Sequence, residues 1–249
     1  MNAEAIVLRT WPIREADQIV ALFTREFGKV KGVAKSAAKS RRRFGGALEP
    51  MTHVRASFVE KPRQELVRLD YFEIVRSPLA LAVDYPRLCA LAFFSEVIEE
   101  TQPDQDPNDA VFRLLLSVLE AAEAGGVWMP VTYFALWITR LMGWLPELRR
   151  CMLCGELLDG EAMDGAPAYF HALSDGLVCV RHKRLASGTL SVESLRLAAQ
   201  IFHLPAAALL SEPWPRERAR DLRRFSVQTL ERHLERRLTS AAALVKLGG

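Results

Sequence analysis

In THVRASF, residues 52–58, the apolar residues Val54, Ala56 and Phe58 alternate with the polar residues His53, Arg55 and Ser57. Alternation of this kind places successive side chains on opposite faces of a β-strand. VRLDY, residues 67–71, repeats the pattern, so we expect Tyr71 to share a face with Leu69, and Lys61-Pro62-Arg63 between the two segments predicts a turn. Four or five short strands of this type in the first 80 residues predict a small closed or partly open β-barrel.

Helical periodicity replaces the alternation after the first 80 residues. Asp106-Pro107 predicts a helix N-cap followed by proline at the first helical position, and Gly125-Gly126 predicts the end of that helix. A second helix is predicted from about Pro130, and its aromatic stripe is interpreted as core. The helical pattern returns at residues 192–202 and 216–238.

These patterns predict a multidomain α+β protein. The N-terminal barrel is assigned to residues 1–80, and an all-α domain that follows it is assigned to residues 81–150 and 189–249. Residues 151–188 break the helical pattern with Gly, Asp and Cys. We interpret them as a small insertion in the helical domain.

Two C-x-x-[C/H] pairs stand in this insertion, Cys151-x-x-Cys154 and Cys179-x-x-His182, separated by 24 residues. Each pair can grip one metal ion from a tight turn, and together they supply four ligands in the tetrahedral arrangement that Zn²⁺ prefers. Four protein ligands close the coordination sphere, so we predict one structural zinc rather than a catalytic one. His171 is a substitute ligand, although it lacks the paired spacing.

The residues beside these pairs and the remaining cysteine fit the same interpretation. Gly155 and Gly176 adjoin the two pairs and give the backbone the freedom that such turns require. Disulfides explain the three clustered cysteines less well, because we expect the protein to remain in the reducing cytoplasm. Cys89 lies in an apolar run and is interpreted as a buried free thiol.

Positive charge is concentrated near the N-terminus, although the whole chain has a formal net charge of +3. Residues 1–80 contain 15 Lys/Arg and 9 Asp/Glu, a net charge of +6, which leaves −3 for the remainder. Seven cations stand between Gly28 and Arg43 with no acidic residue among them. Such clusters bind phosphates, and an adjacent aromatic ring can stack on a base. The predicted DNA contacts are Lys29, Lys31, Lys35, Lys39, Arg41, Arg42, Arg43 and Phe44.

The alternative for this segment is a solvated basic loop with Phe44 packed inside the barrel. Charge runs alone are weak evidence for nucleic-acid binding. The position of the run on a small β-barrel favours DNA or RNA binding, because the face and loops of such barrels commonly bind single strands.

Motifs of the common enzyme classes are missing from the sequence. It contains no P-loop glycine pattern, no H-E-x-x-H, no G-x-S-x-G and no helix-borne carboxylate cluster for magnesium. Residues 1–4 (MNAE) do not begin a signal peptide, and the apolar residues 127–142 are too short for a membrane helix. We expect a cytoplasmic protein that is not an enzyme and does not enter membranes.

Several segments follow one family pattern in order: residues 4–9 (EAIVLR), 15–17 (EAD), 22–29 (LFTREFGK), 32–35 (GVAK), 43–50 (RFGGALEP) and 143–148 (GWLPEL) leading into Cys151-x-x-Cys154. They resemble the RecO family of bacterial DNA-repair proteins. The match is specific in the first half and at residues 143–182. It is vague in the last sixty residues.

The resemblance implies an N-terminal OB-fold, a helical domain and a zinc-bound insertion. It implies annealing of complementary strands and assistance to recombinase loading, with single-stranded DNA, the RecR protein and the C-terminal tail of single-stranded-DNA-binding protein as partners. Double-stranded DNA is left open as a further ligand, and nucleoid association is expected when the protein is on DNA. The tail is expected on the helical domain, where no motif identifies its contacts.

The alternative function is that of a zinc-knuckle regulator that reads nucleic acid without annealing it. It would place basic residues around the metal ligands, yet residues 155–178 contain none. The Arg-rich residues 216–238 carry mixed charge and are interpreted as a solvated helix face, with an auxiliary DNA or protein contact as the alternative.

Overall fold

The structure is a computed structural model. It describes residues 1–13, 15–40, 42–60, 65–78, 84–158 and 166–247. The chain divides into two compact units, one formed by Met1–Leu119 with Leu238–Gly249 and the other by Glu120–Arg237. Each unit is treated separately below, and the assignment of residues 81–150 and 189–249 to one helical domain stays a prediction.

A closed barrel of five strands occupies the N-terminal part of the first unit. The strands are β1 (Asn2–Pro12), β2 (Gln18–Thr24), β3 (Gly28–Ala34), β4 (His53–Val59) and β5 (Val67–Arg76). Antiparallel pairing joins β1 to β2, β2 to β3, β1 to β4 and β4 to β5, and a parallel pair between β3 and β5 closes the barrel. Leu22, Phe58 and Leu69 are buried in its interior. The predicted OB-like barrel is confirmed.

The prediction for Tyr71 was wrong. Its side chain is 47% exposed, whereas the neighbouring Phe72 is buried. The pairing of β4 with β5 shifts here, since Ser57 pairs with Tyr71 while Phe58 pairs with Leu69. The extra residue on β5 is a bulge, which reverses the order of inward and outward side chains. The turn predicted at residues 61–63 lies outside the described residues.

The described residues form seven α-helices: α1 (Tyr85–Thr101), α2 (Asp109–Ala124), α3 (Trp128–Leu141), α4 (Val192–Ile201), α5 (Ala206–Leu209), α6 (Arg220–His233) and α7 (Thr239–Lys246). The apolar stripe of α2 is buried, as Leu115 and Val118 illustrate. Phe134 and Ile138 of α3 are likewise buried, which confirms their assignment to the core. No described helix has the length and apolar character needed to cross a membrane.

The N-cap of α2 is Asn108 rather than the predicted Asp106. The Asn108 Oδ1 atom accepts a hydrogen bond from the Val111 amide at 3.2 Å. The preceding residues pair with β3 instead of starting the helix, because Asp104 forms a bridge with Lys29 and the Gln105 amide donates to the Lys29 carbonyl at 3.0 Å. The helix therefore begins after this contact.

The helix predicted over residues 216–238 is shorter in the structure, where α6 spans Arg220–His233 and α7 begins only at Thr239. Glu235 adopts a left-handed backbone conformation with φ of 54°, which ends α6. The insertion forms a three-stranded sheet of β6 (Ala168–Phe170), β7 (Leu177–Val178) and β8 (Gly188–Leu190), with β6 in the middle. Phe170 packs edge-to-face on Phe225 of α6 at 5.2 Å between ring centroids.

Candidate metal centre and nucleic-acid interface

The four predicted metal ligands lie together in the second unit. Their ligand atoms are all within 4.8 Å of one another. The His182 Nδ1 atom is 3.3 Å from the Cys179 Sγ atom and 3.6 Å from that of Cys151, and the sulfurs of Cys154 and Cys179 are 3.9 Å apart. Tetrahedral zinc with Zn–S near 2.3 Å and Zn–N near 2.0 Å has ligand–ligand edges of about 3.5–3.8 Å. The geometry fits a four-coordinate ion.

Two tight turns present these ligands. The Gly155 amide donates to the Cys151 carbonyl at 2.8 Å, and the His182 amide donates to the Cys179 carbonyl at 3.0 Å. Gly155 has φ of 74° and Gly176 has φ of 127°, both in the region that favours glycine, as predicted. The two turns are joined because the Met152 amide donates to the Leu177 carbonyl at 2.9 Å.

The electrostatics of the cluster favour a bound cation. Burial acts to raise the pKa of the Cys151 thiol, but hydrogen bonds from the Cys179, Cys154 and Leu153 amides outweigh it and lower this pKa to about 6. At Cys154 the Glu156 amide acts to lower the thiol pKa, yet desolvation and the neighbouring sulfurs outweigh it, so this pKa is raised. Ionisation of one thiol therefore disfavours ionisation of its neighbour, and a bound metal cation would offset the repulsion between the two thiolates.

Neither the substitute ligand His171 nor the remaining cysteine, Cys89, belongs to this cluster. The Nδ1 atom of His171 accepts a hydrogen bond from the Leu173 amide at 3.2 Å. Cys89 is buried in α1 of the first unit, in agreement with its interpretation as a core thiol. The ligand set that the structure brings together is therefore Cys3His.

The strand half of the predicted DNA-contact segment faces acidic groups. The Lys29 ammonium donates to the Glu99 backbone carbonyl at 2.7 Å and lies 3.4 Å from an Asp104 carboxylate oxygen. The other oxygen of Asp104 is 4.0 Å from the Lys31 ammonium. Burial raises the pKa of the Glu99 carboxyl, although Arg9 and Lys29 oppose the shift. Lys29 therefore has a structural partner, whereas Lys31 remains exposed.

The loop half of the segment presents its charges to solvent. Lys35, Lys39 and Arg42 are exposed, and their side chains form no ion pair with another described residue. The Arg43 guanidinium donates to the Lys35 carbonyl at 2.5 Å and to the Ser40 hydroxyl at 3.0 Å. Through these two hydrogen bonds, Arg43 connects Lys35 at the start of the loop with Ser40 further along it. Arg41 is a predicted contact that lies outside the described residues.

Phe44 lies in the barrel core. Its ring is 2% exposed and packs edge-to-face on Phe72, with 5.5 Å between centroids. The Arg43 guanidinium stands over the same ring at 5.1 Å. A base cannot stack on this ring while it stays in the core. The aromatic contact predicted at Phe44 is therefore not carried into the proposal below.

Comparison with known proteins assigns the chain to a family. The family model described as Recombination protein O N terminal matches residues 1–78, and Recombination protein O C terminal matches residues 82–242. The DNA repair protein RecO of Koribacter versatilis is 56% identical to this chain over 99% of the chain and 98% of that protein. The chain belongs to the RecO family.

More distant RecO proteins agree over nearly the whole length. The DNA repair protein RecO of Anaeromyxobacter sp. strain K is 37% identical over 98% of this chain and 95% of that protein. The DNA repair protein RecO of Pelotomaculum thermopropionicum is 31% identical over 99% of this chain and 94% of that protein. The family resemblance read from the motifs is confirmed.

Two residues that support these sites were missed in the sequence of this RecO-family chain. Glu156 accepts a hydrogen bond from Arg181 at 2.5 Å and lies 3.8 Å from the Cys154 sulfur, and the Arg181 contact lowers the pKa of its carboxyl. Asp17 accepts a hydrogen bond from the Ser36 amide at 2.7 Å and so anchors the basic loop. A carboxylate two residues after a ligand cysteine signals the first, but no local pattern signals the second.

Two of the basic residues beside the candidate metal ligands are tied to protein groups. Arg150 donates to the Gly155 carbonyl at 3.0 Å, and Arg181 pairs with Glu156. This arrangement does not favour the zinc-knuckle regulator, which would aim such cations at nucleic acid.

The Arg-rich C-terminal residues of this RecO-family chain are not one solvated face. Arg223 is 7% exposed and donates to Thr132 Oγ1 at 2.9 Å and to the Arg218 carbonyl at 2.8 Å. Burial lowers the pKa of its guanidinium to about 10. Arg232 binds Asp175 of the insertion. Arg220 and Arg224 are exposed, in line with the predicted solvated face.

Proposed function

We propose that this RecO-family chain is a non-enzymatic DNA-repair mediator that binds single-stranded DNA, anneals complementary strands and assists recombinase loading on coated DNA. The observation that carries the proposal is the set of exposed cations, Lys35, Lys39 and Arg42, on the loop that leaves β3 of an OB-like barrel. OB-folds bind single strands through this type of face and loop. Family membership supplies the repair context.

Phosphates are the chemical partner that these cations fit. Lys and Arg neutralise phosphates and release condensed counterions, without reading sequence. Lys31 and Arg43 adjoin the loop cations and complete the proposed contact surface, together with Arg41 of the predicted set. Lys29 supports this surface from within, because its ammonium is held by the Glu99 carbonyl and Asp104.

The proposed metal is one structural Zn²⁺ held by Cys151, Cys154, Cys179 and His182. Three thiols and one imidazole are the donor set that zinc takes in closed sites. When bound, the ion supplies cross-linking of the two ligand turns and no position for a substrate. The proposal therefore assigns the metal to the stability of the insertion.

The proposed macromolecular partners are RecR and the acidic, hydrophobic C-terminal tail of single-stranded-DNA-binding protein. These follow from family membership alone. No residue is assigned to either contact. The proposed location is the cytoplasm, with nucleoid association while the protein is on DNA.

The test removes the loop cations together. The variant K35A/K39A/R42A should bind single-stranded DNA at least about tenfold more weakly, and its salt slope should fall by about two units, since each single-strand phosphate contact contributes roughly 0.7. Strand annealing on DNA coated with the cognate binding protein should fall in parallel. Affinity would be measured by fluorescence anisotropy across a salt series.

The matched control removes three exposed arginines of the second unit, R196A/R220A/R224A, and therefore changes net charge by the same amount. We expect it to bind and anneal nearly as the parent does. If the control variant lost DNA binding while the loop variant kept it, the barrel would not be the DNA-binding site.

A further inference from the structure

The outer face of β1, β2 and β3 carries an apolar row that runs across the strands. Trp11 of β1 pairs with Ile19 of β2, and Ile19 pairs with Val33 of β3. Residues paired across adjacent strands project from the same face of a sheet. Each of the three side chains is partly exposed.

The direction of this row follows from its neighbours. Val20 and Ala34, next in sequence to Ile19 and Val33, are fully buried in the barrel core. Successive strand side chains point to opposite sides, so the row points outward. The other end of this face is covered. Phe23 is fully buried there, and its ring centroid lies 5.9 Å from that of Phe112.

Positive groups frame the exposed end of the face. The Arg9 guanidinium stands 5.5 Å from the centre of the Trp11 ring, and its side chain stays 61% exposed although it also lies 3.7 Å from the Glu99 carboxylate. Arg9 and Lys31 both pair with Ala21, so they form the next row along the same face.

The basic loop starts at this end of the barrel. It leaves β3 directly after Ala34, the residue that pairs with Gln18 at the start of β2. Asp17 ties the loop to the β1–β2 turn, because its carboxylate accepts the Ser36 amide at 2.7 Å. The partly exposed indole and the loop cations Lys35 and Lys39 therefore belong to the same rim of the barrel.

We propose that Trp11, flanked by Ile19 and Val33, is a base-stacking platform for single-stranded DNA whose phosphates lie on the basic loop. This inference deepens the proposed function and rests on it. Single-strand-binding proteins combine a cationic track with aromatic side chains on which bases stack, and stacking tolerates any sequence because every base has a π-face. Positive charge beside an exposed aromatic ring selects a polyanion with planar bases rather than an apolar protein segment.

The other aromatic residues fit this role less well. Phe44 is in the core, and the exposed Tyr71 lies on β5 two residues from Glu73, which pairs with Arg55. The remaining tryptophans, Trp128, Trp137, Trp144 and Trp214, belong to the second unit, whereas the basic loop belongs to the first.

The test separates bases from phosphates by using an oligo(dT) strand and an abasic strand of equal length. The parent should bind oligo(dT) more tightly than the abasic strand. The variant W11A should bind oligo(dT) about 5- to 150-fold more weakly, the range of a single lost base stack, while its abasic-strand affinity and its salt slope stay unchanged. W11F keeps a ring and should retain most of the affinity. Y71A, which removes an exposed aromatic ring elsewhere on the barrel, should behave as the parent.

A second measurement avoids any loss of stability in W11A. The fluorescence difference between the parent and W11F reports on Trp11, and oligo(dT) should quench it whereas the abasic strand should not. Parent-like oligo(dT) binding by W11A, equal losses in W11A and W11F, or no quenching of Trp11 would each overturn the platform. If one of these results is obtained but K35A/K39A/R42A still binds single-stranded DNA more weakly than the parent does, only the platform is overturned and the proposed function stands. If the parent binds neither oligo(dT) nor the abasic strand, the platform and the proposed function are both overturned.

Discussion

Gly28 occupies a position that other residues cannot fill without strain. Its φ of 66° lies in the left-handed region, and a Cβ atom added there would stand 2.4 Å from the Asp106 backbone carbonyl. This close approach allows Asp104 and Gln105 to pair with Lys29 at the start of β3. The absence of a side chain at Gly28 therefore allows Asp104 to lie against the basic strand β3.

The substitution Gly28→Ala should lower the free energy of unfolding by at least about 2 kcal/mol, because a left-handed non-glycine residue costs roughly 1–2 kcal/mol and the backbone of Asp106 must also move. Thermal denaturation should show a midpoint lower by about 4–8 °C. Gly46→Ala is the matched control, since nothing lies within 4 Å of its added Cβ atom. Equal midpoints for the two variants would contradict this account of Gly28.

Asp221 is a half-buried residue whose carboxylate accepts hydrogen bonds from another element. Its carboxylate accepts hydrogen bonds from the Ser191 amide at 2.7 Å and the Ser194 hydroxyl at 2.5 Å. Burial acts to raise the pKa of the Asp221 carboxyl, but these hydrogen bonds outweigh it and hold the pKa below its ordinary value. Asp221 thereby joins the start of α6 to the start of α4.

The variant Asp221→Asn should lose about 1–2 kcal/mol of stability at pH 7, since hydrogen bonds to a charged acceptor are stronger than those to an amide. A carboxyl with a lowered native pKa stabilises the fold above its unfolded pKa of about 3.9, and this contribution is lost as the pH falls through the native pKa. Urea unfolding at a series of pH values should therefore show the difference from the parent shrinking below about pH 4. Glu193→Gln, an exposed carboxylate of α4, should show no such pattern.

At the scale of elements, the insertion has little structure of its own. Its strands contain only two or three residues each, and its buried apolar residues are few, with Phe170 and Leu177 among them. Elements this short do not stabilise themselves by packing alone. A metal ion held by the Cys3His cluster would join the two ligand turns, so we expect metal binding and the folding of this element to be coupled.

Replacing Cys154 or Cys179 with Ser should abolish stoichiometric metal binding, because a tetrahedral site that loses one thiolate holds zinc poorly. Elemental analysis should find about one zinc per chain in the parent and much less in these variants, and thermal denaturation should show a lower midpoint. Cys89→Ala removes the cysteine outside the cluster and should leave the metal content unchanged. A C179S variant that retained its zinc would exclude Cys179 as a ligand.

At the scale of the whole molecule, the basic loop and the candidate metal ligands belong to different units. The exposed loop cations belong to the unit that contains Met1–Leu119, whereas the Cys3His centre belongs to Glu120–Arg237. Along the sequence, the first 80 residues have a net charge of +6 and the remainder has −3, so the excess positive charge lies in the barrel part of the first unit. DNA contact and metal binding are therefore expected to be separable.

Removing zinc with a chelator should destabilise the metal-bearing unit but change the affinity for single-stranded DNA by less than about twofold, since sites without shared partners couple by under roughly 0.5 kcal/mol. Zinc loss would be verified by elemental analysis, and affinity would be measured on the same sample. An affinity that dropped tenfold and recovered on adding zinc would show instead that the metal supports the DNA-binding surface.

Local spacing was enough to identify the four residues of the Cys/His cluster and the change from strands to helices along the chain. Cys151-x-x-Cys154 and Cys179-x-x-His182 each place two ligands in one turn, and such geometry depends only on neighbouring residues. Alternation at residues 52–58 likewise predicted a strand of the barrel without knowledge of its partners. The family segments, which are also local, identified the RecO family.

Only the tertiary structure decided which charges and rings face solvent. Lys29 and Lys31 are met by Glu99 and Asp104, which lie about seventy residues away in sequence. Phe44 enters the core and Trp11 stays partly exposed, an outcome that depends on strand pairing across the barrel. Side-chain direction along a strand has a period of two, so one bulge or one long-range contact reverses what local alternation predicts.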